Sequence, residues 1–486
     1  MPAPTSLQAL EADLARDLLL LNYPPKGWVP EAHAADGRPV SDVIVAGGGM
    51  LGLVVSFALR RQGVMRTRTL DQAEAGREGP WVTYARMNTL RSPNHLTGPV
   101  FGIANLTFRA WYEAQHGAAA WETLGKIPRA MWMDYLVWYR NVLDLPVENG
   151  VRLAAIRPAP HGLDVDLEHS DGRKETAATR KLVLATGREG QARPRIPAPF
   201  APYLGSHVSH TATDIDFAAL KGKDVAAIGL GASALDNAAC ALEAGARQVT
   251  VLARSPTVPR INKAKGIVYG GFTHGFPTLP PEWRLKLLDY VSSYRVAPPH
   301  DTVLRVFGHA NAALWLESPV RSARLEDGRL RLETPEQSLL VDHVILGTGF
   351  AIDLSAPAEL AEHAPLIRTH ADLIGDRATP PQAEWLAFPA LSPSFQFVER
   401  EAGSAPYLEN IYCFTYAAAM THGNVSGDIP AAGEGAERLA QGLAADLFRA
   451  NIEQHFQAMV DFEDPELFGD ELPEGTPWSP PVKSGG

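Results

Sequence analysis

The chain has 486 residues, 45% of them apolar and 20% charged, with a formal net charge of -11. That length exceeds a single hydrophobic core and predicts two or three domains of an ordinary globular protein. The acidic balance argues against a nucleic-acid partner or an anionic membrane surface. Cys240 and Cys413 are the only cysteines, which excludes a disulfide framework, a CxxC redox pair and a cysteine-based zinc site.

Leu7, Leu10, Leu14, Leu18 and Leu21 fall on one helical stripe that stops at Pro24 and Pro25. Residues 1–38 are therefore expected to form an N-terminal helical extension docked on the body. Glu11, Asp13, Arg16 and Asp17 interrupt the stripe, so no secretory signal is expected, and no run is apolar long enough to span a bilayer. Together with the cysteine usage, this predicts a cytoplasmic protein without membrane association.

A short apolar strand, Asp42 to Ala46, then meets a glycine turn with Gly47, Gly49 and Gly52, followed by the apolar run Leu53 to Leu59. Strand, tight turn and helix in this order form a dinucleotide fingerprint. The first glycine permits the turn, the second lets the backbone approach a pyrophosphate, and the third lets helix and strand pack closely. Unpaired N–H groups at the helix start would carry the pyrophosphate. Asp71 stands at the end of the next strand, Met65 to Leu70, where a carboxylate suits an unphosphorylated ribose hydroxyl. An ordinary surface charge is the competing reading.

Residues 106–142 look helical and aromatic, with Trp132, Tyr135 and Tyr139 on one face. Core packing is the default for such a stripe, and a substrate wall is the alternative. Val151 to Ile156, Leu163 to Leu167 and Lys181 to Ala185 read as strands of a meander with a turn at Asp171 and Gly172, ending at Thr186 and Gly187.

A second fingerprint follows: the strand Asp224 to Ile228, a turn with Gly229, Gly231, Ser233 and Ala234, then an apolar helix. Its second strand ends in Arg254 rather than an acid, with Arg260, Lys263 and Lys265 nearby. A cation there suits the 2′-phosphate of NADP. The pair of turns thus predicts two bound dinucleotides in order, FAD first and NADPH second.

Residues 255–309 lack clear periodicity outside a helix from Pro281 to Tyr294. Strands resume at Leu330 to Glu333 and Val341 to Leu346, which ends in Gly347, Thr348, Gly349 and Phe350. A last strand, Ile411 to Thr415, meets the turn Thr421 to Asn424 and a helix from about Ala431 to Ala450. The expected fold class is α/β: two Rossmann-like domains, the second inserted in the first. The FAD domain is assigned to 39–205 and 336–455, the NADPH domain to 206–335, and a loose tail to 456–486.

The two fingerprints, the Thr186–Gly187 turn and the Leu346–Phe350 segment resemble the class B flavoprotein monooxygenases, over about residues 40–450. Leu346 to Phe350 is similar to that group's leucine-x-threonine-glycine-tyrosine motif. Met87 to Pro93 looks like the segment that passes the isoalloxazine in the N-hydroxylating branch, and Thr421 to Gly423 like the turn before the helix that caps the flavin. The resemblance implies that NADPH reduces FAD, that oxygen adds at the flavin C4a carbon, and that the peroxide passes one oxygen atom to a nitrogen, sulfur or ketone of a small organic substrate. It implies cofactor contacts at Gly187, Thr348, Gly349, His422 and Asn424, and a peroxide-stabilising role for Asn94 or Arg91, with Asn88 in reserve. One departure stands out. The group's phenylalanine-x-glycine-x-x-x-histidine motif places histidine four residues after glycine, whereas His210 lies five after Gly205, as either a shifted motif residue or a solvated loop histidine. A reductase passing electrons to a quinone or protein partner, and a non-catalytic flavin redox sensor, are the alternatives. A homo-oligomer is left open.

Overall fold

Residues 6–379, 382–468 and 470–477 are described by a computed structural model of the chain. Ser6 caps helix α1 (Leu7–Leu20) by accepting the Ala9 N–H at 3.2 Å, and Leu10 and Leu14 are wholly buried. The leucine stripe is therefore a docking face, as its spacing predicts. Asn105 donates to Asp17 at 2.7 Å and Trp138 to Glu11 at 3.0 Å, which fixes the helix on the body. Leu21 lies past the helix end and stays exposed.

The first unit opens with β1 (Val40–Ala46), α2 (Met50–Arg61) and β2 (Thr67–Asp71). Three helices follow, α3 (Phe108–His116), α4 (Ala118–Leu124) and α5 (Arg129–Val142), where the sequence suggested one aromatic stretch. The chain then enters β3 (Glu148–Asn149), β4 (Val151–Ala159), β5 (Gly162–His169) and β6 (Lys174–Leu184). The sheet runs β3-β2-β1-β6-β5-β4, parallel as far as β6 and antiparallel in the meander beyond it. β1 is buried along almost its whole length and apolar without a break from Val43 to Ala46, as strands covered on both faces are.

After β7 (Ala192–Pro194), the second unit comprises β8 (Val208–His210), β9 (Asp224–Ile228), α6 (Ala232–Glu243) and β10 (Gln248–Leu252). Helices α7 (Gly270–Gly275), α8 (Pro281–Ser293) and α9 (His300–Phe307) precede β11 (Ala312–Trp315). A small antiparallel sheet, β12 (Ser322–Glu326), β13 (Arg329–Glu333) and β14 (Ser338–Val341), leads into β15 (His343–Leu346) and β16 (Phe350–Ile352). The parallel sheet is ordered β11-β10-β9-β15-β8.

This topology corrects one expectation. Val341 to Leu346 is not one strand of the first domain: β14 belongs to the small sheet and β15 lies between β9 and β8. Asp342 makes the break, accepting the Asp224 N–H at 2.8 Å and pairing with Arg329 at 3.1 Å. The second unit therefore runs past 336, to Leu346.

The short helices α10 (His370–Ile374) and α11 (Ala383–Leu386) precede β17 (Ile411–Cys413), α12 (Ala419–His422), α13 (Ala432–Ala450) and α14 (Ile452–Val460). β17 pairs in parallel with Leu182–Leu184 of β6, whose earlier residues pair with β5. The second unit is thus inserted in the first. Helix α14 runs through the expected tail boundary at 456, and the end of that tail, from 478, lies outside the described residues. Among the described residues no helix is long and apolar enough to cross a membrane.

Candidate active site

Both glycine turns are built by close contact rather than by composition alone. A Cβ on Gly52 would stand 1.7 Å from the Gly47 carbonyl oxygen, and one on Gly47 (φ +106) 2.5 Å from the Ala185 carbonyl. In the second turn, a Cβ on Gly229 (φ +118) would meet the Gly347 oxygen at 2.6 Å. By contrast, a Cβ on Gly231 would meet nothing within 4 Å, so the backbone there faces open space. Helices α2 and α6 start at Gly49 and Gly231, and neither has a side chain capping it. Each leaves first-turn N–H groups and the positive helix end free for an anion. These features fit two dinucleotide pyrophosphates.

Asp71 closes the first turn, accepting the Gly48 N–H at 2.7 Å and the Ala73 N–H at 2.8 Å. Burial pushes its carboxyl above the usual range, against those two hydrogen bonds. Beside it lies a cavity of about 310 Å3, walled by Gly48 and Gly49, by Glu78, and by Met133, Leu136 and Arg140 of α5. Arg140 reaches Glu78 at 3.0 Å and the Val147 carbonyl at 3.0 Å, while Asn149 donates to Glu78 at 2.7 Å. Helix α5 therefore serves two faces. Trp132, Tyr135 and Tyr139 are core, with the Tyr135 and Tyr139 hydroxyls donating to the carbonyls of Leu106 and Pro99. The spacing Met133, Leu136, Arg140 marks the cavity face.

In the second unit, Arg254 is exposed just past β10 and Ser233 is exposed in the first turn of α6. His210 ends β8 and is buried, its Nε2 donating to the Gly349 carbonyl at 3.2 Å while its Nδ1 accepts the Ala212 N–H. It is a buried strut between two turns, not a solvated loop histidine, and burial holds it neutral by lowering its pKa. Thr348 spends its hydroxyl on the Arg195 carbonyl, leaving Gly349 (φ +77) and Gly187 (φ +77) as the open positions of their turns.

His422 departs from the cofactor contact that the resemblance implied. Its ring is buried and stacked on Phe395 at 3.7 Å, Nε2 donates to the Ser392 carbonyl at 3.0 Å, and Nδ1 accepts from Arg438 at 3.3 Å. Burial lowers its pKa to about 3. Both ring nitrogens are spent inside the protein, so the side chain is a core strut. Asn424, two residues on, is exposed.

The segment Met87–Arg91 is pinned to the start of α5: Leu90 donates to the Ile127 carbonyl at 2.8 Å and Arg129 to the Asn88 carbonyl at 3.0 Å. With α9 it encloses a cleft of about 330 Å3 between the two units, lined by Asn88, Arg91, Lys126, Asp301 and Arg305. Lys126 is neutralised by Asp301 at 2.7 Å and Arg305 by Glu243. Arg91 has no ion-pair partner among the described residues; enclosure lowers its pKa, with Asp236 opposing and Arg188 reinforcing that effect. Asn94 lies outside the cleft lining.

One group of residues escaped the sequence reading. The turn after β6 carries Arg188 and Glu189 directly behind Gly187. The Arg188 guanidinium lies 4.6 Å from the centroid of the Tyr416 ring, and Tyr84 acts on the charge of the Glu189 carboxyl. Burial raises the pKa of Glu189, and also that of Asp428, which faces Arg188 as well. Three separate segments meet here, so no local spacing announced the cluster.

The family described as L-lysine 6-monooxygenase/L-ornithine 5-monooxygenase matches residues 121–310, and an FAD-NAD(P)-binding family matches residues 43–189. An FAD-dependent urate hydroxylase of Xanthomonas campestris pv. campestris is 36% identical over 469 residues, covering 96% of this chain and 98% of that protein. The chain belongs to the class B flavoprotein monooxygenases. Two solved structures share the monooxygenase fold. The ornithine hydroxylase of Pseudomonas aeruginosa superposes with a TM-score of 0.64 at 18% identity, covering 84% of this chain and 100% of that one. The L-lysine 6-monooxygenase of Pseudomonas syringae gives 0.62 at 20% identity, covering 83% and 99%. This monooxygenase uses FAD and NADPH to place one oxygen atom on a small molecule.

Proposed function

We propose that this monooxygenase hydroxylates urate or a closely similar planar acidic heterocycle, at the expense of NADPH and O2. The observation that carries the reading is the match to a urate hydroxylase along almost the whole of both chains. The charge of the interdomain region supports it. Arg91, in the cleft lining, has no ion-pair partner among the described residues, which suits an anionic heterocycle and repels the ammonium group of an aliphatic amine.

Reduced FAD supplies the oxygen-activating chemistry when bound; the protein contributes orientation and exclusion of water. Gly47, Gly49 and Gly52 with the start of α2 would hold the FAD pyrophosphate, and Asp71 would accept from its ribose. The pocket walled by Glu78 and Arg140 would take the adenosine half. Gly229, Gly231 and Ser233 at the start of α6 would hold NADPH, with Arg254 on its 2′-phosphate. Gly187, Gly349 and Asn424 would face the cofactors by backbone or exposed amide, and Arg91 would meet the reacting groups. A cytoplasmic setting, where NADPH is supplied, belongs to the same reading.

The test is oxygen incorporation. The FAD-loaded enzyme is given NADPH and labelled O2 with urate, and separately with ornithine or lysine. Urate should accelerate NADPH consumption and yield product carrying one labelled oxygen atom. NADPH oxidation indifferent to urate, or labelled product only from the amines, would sink the substrate assignment.

A further inference from the structure

The chain passes between the two units from β7 to β8 and back from β15 to β16, and a cleft lies between their facing surfaces. Units joined in this way shift against each other unless an interface holds them. Helix α9 spans the cleft. On one side Val306 is wholly buried in the core of the second unit, and the buried Thr302 donates to the Asp236 carboxylate of α6 at 2.9 Å. On the other side Asp301 pairs with Lys126 at 2.7 Å and accepts the Thr89 hydroxyl at 3.3 Å, both in the first unit. Arg305, one turn after Asp301, reaches both ways. Its Nε and Nη2 donate to Glu243 of α6, the latter at 2.6 Å, and its Nη1 donates to the Arg86 carbonyl at 2.9 Å. Arg86 itself pairs with Asp214 at 3.1 Å and lies 5.5 Å from the centroid of the Phe217 ring, both between β8 and β9.

The two ends of this bridge are the parts that concern the two nucleotides. Helix α6 starts at the turn that fits the NADPH pyrophosphate, and Arg86 leads directly into the Met87–Arg91 segment that lines the cleft. We propose that α9 sets the register between the two nucleotides, with Arg305 and Asp301 as positioning residues for hydride transfer from NADPH to FAD. In that step a hydride leaves NADPH with its electron pair, NADP+ remains and the flavin is reduced. A misplacement of about 1 Å costs such a step about 100-fold. The planar guanidinium of Arg305 directs its donors in a fixed fork, so a grip on Glu243 also fixes where Nη1 meets the Arg86 carbonyl. Lysine, a single point charge, cannot hold both. The Lys126–Asp301 pair is half-exposed, and such pairs contribute little to folding stability; what its place across the cleft supplies is alignment. This inference rests on the use of FAD and NADPH alone and is independent of which substrate is oxygenated.

The experiment follows the two half-reactions of the FAD-loaded enzyme without substrate. Flavin reduction is timed by anaerobic mixing with saturating NADPH, and reoxidation by mixing dithionite-reduced enzyme with O2. Calorimetry gives the Kd for NADP+, and the change in the oxidised-flavin spectrum at saturating NADP+ reports how the nucleotides meet. Arg305→Met should slow reduction about 100-fold and weaken that spectral change, with reoxidation and the NADP+ Kd within about twofold of the parent. Arg305→Lys should share the defect. Asp301→Lys and Lys126→Asp should each slow reduction about tenfold, and the double exchange, which restores the pair with its charges reversed, should recover most of the rate. Reduction at the parental rate in Arg305→Met and Asp301→Lys overturns the proposal. So does an equal loss in both half-reactions, or a double exchange no faster than its single variants. Should Arg305→Met fail to fold or to hold FAD, the half-exposed Lys126–Asp301 exchange decides by itself.

Discussion

The two glycine turns share a pattern and differ in closure. In the first, Gly47 and Gly52 are locked against carbonyl oxygens, Asp71 is tied to the Gly48 N–H, and the buried Glu78, paired with Arg140, backs the cavity. In the second, Gly231 faces open space and Arg254 stands exposed beyond its strand. A nucleotide that stays through turnover needs the first kind of site; one that reduces it and must be exchanged needs the second. The same backbone device therefore serves a resident cofactor in one unit and a cosubstrate in the other.

The largest expected break in this contrast is Gly52→Ala. Its Cβ would lie 1.7 Å from a backbone oxygen, so α2 must shift from β1. A stability loss of about 4 kcal/mol or more, with FAD lost on purification, is expected. Thermal melting and the flavin-to-protein absorbance ratio read both effects, and a normally melting, FAD-replete variant would contradict the locked first turn. Next in size is Arg254→Ala, which should raise the KM for NADPH by about 10- to 100-fold, one lost charge-assisted contact, and leave NADH kinetics alone. Equal losses with both nucleotides would remove Arg254 from the 2′-phosphate. Gly231→Ala is the smallest change. With no atom within 4 Å of the new Cβ and φ at -81, melting should move by no more than about 0.5 kcal/mol in stability, while the KM for NADPH rises because the methyl stands where a pyrophosphate would approach. Any substantial loss of stability would show that the second turn is as closed as the first.

What the sequence disclosed follows the range of the forces involved. Gly47, Gly52 and Gly229 were legible because their constraint is carried by a few neighbouring residues and one passing strand. The leucine stripe of α1 and the aromatic stripe of α5 were legible for the same reason, since helical spacing is local. The Glu78–Arg140 pair was not, because its partners are 62 residues apart and neither position has a distinctive neighbourhood. Nor could β15 be assigned to its sheet: a short apolar strand reports burial but not which parallel neighbour it will find. His422 shows a subtler limit. The turn it occupies was readable, yet Phe395, Ser392 and Arg438 decide what its ring does, and all three come from elsewhere in the chain.

The shared strand β6 has a consequence in time. Its last residues pair with β1 on one edge and with β17 on the other, but residues 185–410 separate β17 from them. The first sheet consequently stays incomplete during synthesis until Ile411 has emerged, whereas strands β8 to β15 of the second unit occupy one stretch that can close earlier. Late, long-range pairing of this kind is slow and leaves an open edge exposed while it waits. The unit that holds the resident nucleotide is thus the last to be finished.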